Sequence, residues 1–334
     1  MKNHRSLLAA AVALPAAGLI LAGCGSSTAS ESTEADSAAI SVVATTNVYG
    51  QIARAIGGES VEVSEIITSA AQDPHSYEPT ARDKLAISNA TLVLANGGGY
   101  DQFMDSLVSS IPEGKAGEIT LVHAVDSSPV AEESEAAGHE GESAEEHAQH
   151  AEEDSHEGHD HAAYNEHIWY DLESMGDLAD ALAESFGKAD SANAEQYQQN
   201  AASFNEGIDK LEQQLETAKL DGKSFVMTEP VPFHLLHAAG MEDATPEGLS
   251  EAIEEGEGIA PITMKKAEDL LSAGDADMLA YNVQTEGSET KALKKSAEQG
   301  QIPVVDFAET IQDDSSYLEW MESNISDLAS AING

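Results

Sequence analysis

The chain has 334 residues and carries 61 acidic side chains against 15 lysines and arginines, which gives a formal net charge of −46. A surface this acidic repels phosphate backbones, which argues against nucleic-acid binding and makes cations the natural partners. The chain contains one cysteine, which excludes an internal disulfide framework and a cysteine-based zinc site.

The amino terminus has the pattern of a processing segment. Lys2 and Arg5 precede an apolar stretch that is short for a membrane-spanning helix and typical of a signal peptide. The stretch ends in Leu-Ala-Gly-Cys24, which resembles a bacterial lipobox, so residues 1–23 are predicted to be removed and Cys24 to be lipidated. Residues 24–39 are polar and of low complexity, as expected of a flexible tether. We therefore expect a lipid-anchored protein on the extracytoplasmic face of the cell membrane.

Short β-branched runs alternate with helical stretches in the first half of the chain. Strands are predicted at 40–44, 61–67, 91–95 and 119–125, and helices at 48–56, 81–89 and 100–109. Such alternation favours an α/β lobe with a mostly parallel sheet, here assigned to residues 40–188.

Residues 126–163 interrupt this alternation. They are rich in Ala, Glu, Ser and His and have almost no large apolar side chain, which predicts a mobile, disordered loop. The loop contains six histidines, His139, His147, His150, His156, His159 and His161. Imidazoles at this density suggest an auxiliary metal-collecting loop with a preference for Zn²⁺, Cu²⁺ or Ni²⁺. The alternative is a solvated run of charges in which the histidines are incidental.

One long helix and a second alternating region follow. Apolar residues that share one face of a 3.6-residue period predict a linking helix over 189–220, and they are Tyr197, Ala201, Phe204, Ile208, Leu211 and Leu215. Strands are then predicted at 224–228, 278–281 and 304–307, and helices at 233–239, 263–273, 289–299 and 317–332. The sequence thus predicts an α/β fold of two lobes, 40–188 and 221–334, with mostly parallel sheets joined by one long helix.

Two histidines lie in motifs that suit metal ligands. His75 belongs to the motif DPHSYEPT at residues 73–80, which follows a predicted strand and is stiffened by two prolines. The carboxyl ends of strands in α/β sheets face the ligand crevice, so His75 is a candidate ligand. His167 lies in NEHIWYD at residues 165–171, where ordered sequence resumes after the acidic loop. Considered singly, each histidine could equally lie in a turn or at the surface.

The two motifs together resemble a known family. DPHSYEPT and YNEHIW are similar to the first and second ligand motifs of the metal-binding lipoproteins and periplasmic proteins of zinc and manganese ABC importers. A loop rich in histidine and acid before the second motif also resembles zinc-specific members. The resemblance extends from Ile40 to the carboxyl terminus, and it implies two lobes bridged by a long helix with the metal site in the cleft between them.

The resemblance also implies two carboxylate ligands. The third family ligand matches Glu229 in the motif VMTEP, which is similar to the variant of manganese-type members. The fourth matches Glu309, with Asp306 as an alternative. His234 and His237 are expected to be helix residues, although one of them could approach the metal.

The implied set of His75, His167, Glu229 and Glu309 suits Zn²⁺ or Mn²⁺ and neutralises a divalent ion. The histidine-rich loop favours Zn²⁺, whereas Glu229 favours Mn²⁺, and zinc is the preferred prediction. Four protein donors leave little room for an activated water, so we expect a solute-binding protein and not an enzyme. The expected partners are the ion, the ABC permease and, through its lipid, the membrane, and the protein is expected to be monomeric. The alternatives are the same role for Mn²⁺, a surface metal-storage or adhesion lipoprotein, and a secreted metalloenzyme.

Overall fold

The computed structural model of the protein describes residues 40–130 and 164–334. The predicted signal peptide, Cys24, the tether and all six loop histidines lie outside these residues. Within the described part of the chain, no helix is both long enough and apolar enough to cross a membrane.

The first lobe contains a four-stranded parallel sheet. Its strands are β1 (Ile40–Thr46), β2 (Val61–Ile67), β3 (Leu92–Ala95) and β4 (Thr120–His123). They lie in the order β2-β1-β3-β4, and every neighbouring pair is parallel. The accompanying helices are α1 (Asn47–Gly57), α2 (Ala81–Ser88), α3 (Gln102–Ser109) and the short α4 (Glu113–Ala116). The predicted α/β alternation is therefore confirmed in this half.

Two helices lie between the sheets in sequence and pack against each other. They are α5 (Leu172–Ala189) and α6 (Ala194–Thr217). Helix α6 has 24 residues and buries all six apolar positions of the predicted face, but it begins later and ends earlier than the predicted range of 189–220. The early start was wrong because Ala189 belongs to α5, a helix that was not predicted.

The second lobe repeats the topology of the first. Its strands are β5 (Ser224–Met227), β6 (Glu242–Asp243), β7 (Met278–Asn282) and β8 (Val304–Phe307). Their order is β6-β5-β7-β8, and all neighbouring pairs are again parallel. The helices of this lobe are α7 (Phe233–Ala238), α8 (Ser250–Glu254), α9 (Pro261–Ala273), α10 (Ser288–Gly300) and α11 (Tyr317–Asn333).

A continuous hydrophobic core joins the two sheets. One cluster of buried side chains includes Val42 of β1, Leu178 of α5, Phe225 of β5 and Met321 of α11. Close packing of this kind resists large displacements of one lobe against the other. The parallel strands place the residues that follow them at the carboxyl edge of each sheet, which is where the candidate ligands lie.

Candidate metal centre

His75 lies in the loop that follows β2, and the loop is held by its own side chains. Asp73 accepts hydrogen bonds from the backbone N–H of His75 at 2.9 Å and from the hydroxyl of Ser76 at 2.7 Å. Thr80 then caps α2 in a reciprocal arrangement with Asp83, which fixes the exit of the loop. The side chain of His75 is 15% exposed and is therefore directed into the protein from a rigid loop.

His167 is almost completely buried, and Asn165 orients its ring. The Oδ1 atom of Asn165 lies 2.6 Å from His167 Nδ1, while Asn165 Nδ2 donates to the carbonyl oxygen of Pro230 at 2.7 Å. Because an amide oxygen only accepts hydrogen bonds, Nδ1 of His167 carries a proton, and in the neutral ring Nε2 keeps its lone pair. This is the tautomer that binds a metal through Nε2.

Glu309 lies two residues beyond β8 and is only 3% exposed. Its Oε1 accepts from Asn282 Nδ2 at 2.9 Å, and its Oε2 accepts from the hydroxyl of Tyr100 at 3.1 Å. Gln284 holds the backbone by accepting hydrogen bonds from the N–H groups of Glu309 and Thr310 at 2.8 and 3.0 Å. Burial, followed by repulsion from Glu229, raises the pKa of Glu309 to about 7.

Glu229 lies beside Glu309 at the end of β5. Asn282 Nδ2, which donates to Glu309, also donates a hydrogen bond to Glu229 Oε2 at 2.5 Å. The hydroxyl of Thr285 donates to the other carboxylate oxygen of Glu229. Burial raises the pKa of Glu229, and the hydrogen bonds from Thr285 and Asn282 oppose that shift. The structure thus places Glu229 next to the site, with both carboxylate oxygens engaged by neighbouring side chains.

Tyr100, which bonds Glu309, comes from a tight turn after β3. Gly97 has a φ of +82°, a conformation that glycine adopts without strain. Asp101 closes the turn by accepting hydrogen bonds from the N–H groups of Asn96 at 2.7 Å and Gly97 at 2.8 Å. Burial raises the pKa of Asp101 to about 6, against the effect of these bonds. The turn therefore fixes an aromatic side chain of the first lobe against a carboxylate of the second.

Three of the four predicted ligands converge on one point. His75, His167 and Glu309 each offer a donor atom, and these atoms all lie within 4.8 Å of one another. Rings of Tyr100 and Trp169 form the wall, with centroids 4.9 Å from that of His75 and 5.0 Å from that of His167, respectively. Glu229 does not belong to this group of three. It is linked to Glu309 by Asn282, whose side-chain amide donates a hydrogen bond to each of the two carboxylates.

The alternative ligands lie elsewhere. The side chain of Asp306 is 60% exposed and lies 3.9 Å from Lys294 Nζ. His234 is bonded through Nε2 to the carbonyl oxygen of Asn165 at 2.8 Å, and the ring of His237 stacks on Phe233. The positions of these side chains favour Glu309 over Asp306 and leave His234 and His237 as helix residues.

Glu254, at the end of α8, also lies at the site and was not anticipated. Its Oε1 is 3.2 Å from His167 Nε2 and 3.6 Å from His75 Nε2. A second group of donor atoms within 4.8 Å of one another consists of His75, Glu166 and Glu254. Burial, followed by repulsion from Glu166, Glu229 and Glu309, raises the pKa of Glu254 to about 9. No sequence signal separates Glu254 from the other acids of its segment.

The site has the chemistry of a cation-binding site. Two imidazoles and several buried carboxylates converge in a pocket with an aromatic wall, and burial, followed by repulsion between the carboxylates, raises the pKa values of Glu254 and Glu309. Imidazole nitrogen and carboxylate oxygen together suit Zn²⁺ and Mn²⁺. The residues present therefore fit a divalent transition-metal ion as cargo.

Comparison with known proteins supports this assignment. A family described as "ZnuA: Zinc-uptake complex component A periplasmic" matches residues 42–331. The manganese-binding lipoprotein MntA of Halalkalibacterium halodurans is 22% identical over 328 residues, which cover 94% of this chain and 95% of that protein.

Solved structures with the same fold include two metal-binding proteins. The solute-binding protein FpvC of Pseudomonas aeruginosa, in complex with Mn²⁺, superposes with a TM-score of 0.66 at 20% identity, covering 88% of this chain and 98% of that one. The periplasmic zinc-binding protein TroA of Treponema pallidum gives a TM-score of 0.65 at 18% identity, covering 87% and 98%.

Proposed function

We propose that this chain, which belongs to the zinc-uptake complex component A family, is the solute-binding component of a metal ABC importer. In this role it captures a divalent transition-metal ion outside the membrane and delivers it to the permease. The observation that carries the proposal is the convergence of His75, His167 and Glu309 within 4.8 Å, in the cleft between two parallel sheets. Glu229 is the further carboxylate that the sequence assigns to this set.

We favour Zn²⁺ as the cargo, with Mn²⁺ as the alternative. Two imidazoles whose Nε2 atoms face the same pocket support zinc, because Mn²⁺ prefers oxygen donors and higher coordination numbers. The abundance of carboxylates and the manganese-binding relative support the alternative. A site with protein donors on several sides also supports capture of an ion over hydrolysis.

Release of the ion is expected to need local movements of ligands. The lobes are tied by the hydroxyl of Tyr170, which donates to the carbonyl oxygen of Ala308 at 2.9 Å. Asn47 and Ile311 are joined by two further hydrogen bonds across the lobes. Together with the shared core, these contacts favour small shifts of loops over a wide hinge motion.

In this role the protein is anchored to the membrane and delivers its ion to the permease. Lipidation of Cys24, which lies outside the described residues, would hold the protein on the extracytoplasmic face, with residues 25–39 as a tether. The protein acts as a monomer that presents the loaded cleft to the permease. The six loop histidines would raise the local concentration of metal near the cleft.

The experiment is a competitive metal titration combined with native mass spectrometry. Metal-free protein, residues 25–334, is titrated with Zn²⁺ and Mn²⁺ against a chelating indicator, as wild type and as His75→Ala, Glu229→Ala and Glu309→Ala. We expect one tightly bound ion per chain in the wild type, with higher affinity for Zn²⁺, and weaker binding in each variant. His123→Ala is the matched control, because His123 is a partly exposed histidine paired with Asp105 and Asp126 and belongs to neither group of converging donor atoms.

Deleting residues 132–161 separates transport from storage. Retention of one tight ion after the deletion supports the transport role, because the ion then depends on the cleft. Loss of all tight binding, or unchanged binding in His75→Ala, would contradict it and support storage in the loop.

A further inference from the structure

The short helix α8 brings a carboxylate into the metal site from outside the two sheets. The other candidate ligands follow strands or precede α5, whereas Glu254 is the last residue of a helix in the segment between β6 and α9. Its side chain is only 11% exposed. A glutamate on such a short exposed segment would ordinarily point to solvent, so its burial against two imidazoles needs an explanation.

The contacts of Glu254 are those of a ligand that faces a cation. Its Oε1 lies close to the Nε2 atoms of both histidines but accepts no hydrogen bond from any group in the described part of the chain. Asn165 keeps the proton of His167 on Nδ1, so Nε2 of this ring presents a lone pair to the carboxylate. Two electron-rich atoms 3.2 Å apart repel each other unless a proton or a metal cation lies between them, and a cation that binds here takes the place of the proton.

The separations also match a coordination shell. For bonds of about 2.0–2.1 Å to nitrogen and oxygen, the edge of a tetrahedron around Zn²⁺ is about 3.4 Å. Glu254 Oε1 lies 3.2 Å from His167 Nε2 and 3.6 Å from His75 Nε2, so one distance is slightly shorter and the other slightly longer than this tetrahedral edge. The same carboxylate can thus share one ion with both histidines without rearrangement of the loop.

We propose that Glu254 is a direct ligand of the transported ion and completes a four-donor set with His75, His167 and Glu309. This inference rests on the proposed function and names a ligand of the same site. Two neutral imidazoles and two carboxylates balance a divalent charge, while Glu229 remains hydrogen-bonded to Asn282 and Thr285 beside the ion. The ion would then tie α8 to the first lobe.

The test compares Glu254→Gln with Glu255→Gln, which removes the same charge from the next residue, an exposed one. We expect Glu254→Gln to lower Zn²⁺ affinity by at least about 100-fold, more than the usual effect of an outer-shell change. Glu255→Gln should bind within about threefold of wild type. The second readout is the visible spectrum of the Co²⁺-loaded protein, whose band positions and intensity change when an oxygen ligand is lost. Circular dichroism checks that both variants are folded.

Three outcomes separate the possibilities. Weakened binding and an altered Co²⁺ spectrum in Glu254→Gln, with neither change in Glu255→Gln, support the proposal. Wild-type affinity and spectrum in Glu254→Gln, with loss in Glu229→Gln, would overturn it and assign the fourth position to Glu229. Absence of tight binding in the wild type would instead contradict the proposed function.

Discussion

The hydroxyl of Tyr100 in the first lobe donates a hydrogen bond to Oε2 of Glu309 in the second, at 3.1 Å. Both side chains are buried, and the bond crosses the cleft directly beside the donor atoms of His75 and His167. One carboxylate is therefore both a candidate ligand and a link between the lobes. This arrangement lets a residue that touches no ion influence how firmly the ion is held.

Replacing Tyr100 by phenylalanine should weaken metal binding without unfolding the protein. The ring still packs against His75 and Trp169, but Glu309 loses one of its two side-chain hydrogen bonds. We expect a loss of about 10-fold in Zn²⁺ affinity, measured by competition titration. Tyr281→Phe is the control, because its hydroxyl bonds Glu286 outside the site. Equal affinity in the two variants would show that Tyr100 acts only by packing.

Asn165 should affect the metal affinity because it orients the ring of His167 and fixes its tautomer. Asn165→Ala removes the acceptor that fixes the Nδ1 proton, and we expect about 10–100-fold weaker binding of Zn²⁺. Asn165→Asp keeps an acceptor for Nδ1 and loses the bond to Pro230, so it should retain more affinity than the alanine variant. Titration gives the affinities, and ¹⁵N NMR of the imidazole reports the tautomer. An unchanged tautomer in Asn165→Ala would contradict this role.

Gln284 should contribute to stability through the backbone that carries Glu309. Its Oε1 accepts hydrogen bonds from two backbone N–H groups and from the hydroxyl of Thr310. Gln284→Ala leaves these donors without their acceptor, and we expect the free energy of unfolding to fall by about 2 kcal/mol. Denaturant unfolding of the metal-free protein measures the change. Gln198→Ala, on the exposed face of α6, is the control and should change stability little.

The regular part of the fold was predictable because its signal is local. Long strands and helices such as β2 and α6 repeat apolar residues at a fixed period, and this period alone identifies them. The two-residue strand β6 is exposed and acidic, and the five-residue helix α8 is too short to show a period. Tertiary packing decides such elements, so a single sequence does not reveal them.

The ligands that lie in specific sequence motifs were predictable, whereas a ligand outside such a motif was not. His75 and His167 lie in specific motifs, and the structure brings them together with Glu309. Glu254 lies in the run EAIEEGE at residues 251–257, where nothing in residue type distinguishes it from its neighbours. Only the fold shows that this one glutamate turns inward while the adjacent Glu255 stays exposed.

The stability of the metal-free protein should fall as the pH rises from about 4.5 to 9. Burial raises the pKa of Glu309 to about 7 and that of Glu254 to about 9, from an ordinary value of 4.5. Carboxylates from several elements act on Glu254, and they are Glu166, Glu229, Glu309 and Glu251. Between these pKa values and the ordinary one, the folded protein binds more protons than the unfolded chain, so raising the pH favours unfolding. Thermal melting across this range measures the effect, and a melting temperature that rises between pH 6 and 9 would contradict it.

Metal binding should displace the same protons. At pH 8 the raised pKa keeps Glu254 largely protonated, whereas Glu309, with a pKa of about 7, is largely ionised. Loading with Zn²⁺ at this pH should therefore release about one proton per ion, because a carboxylate must be ionised to bind the metal. Calorimetric titration in two buffers with different heats of ionisation gives the number released. Glu254→Gln should release fewer protons than wild type, and Glu255→Gln should match wild type. Equal release in all three proteins would mean that Glu254 does not exchange its proton for the ion.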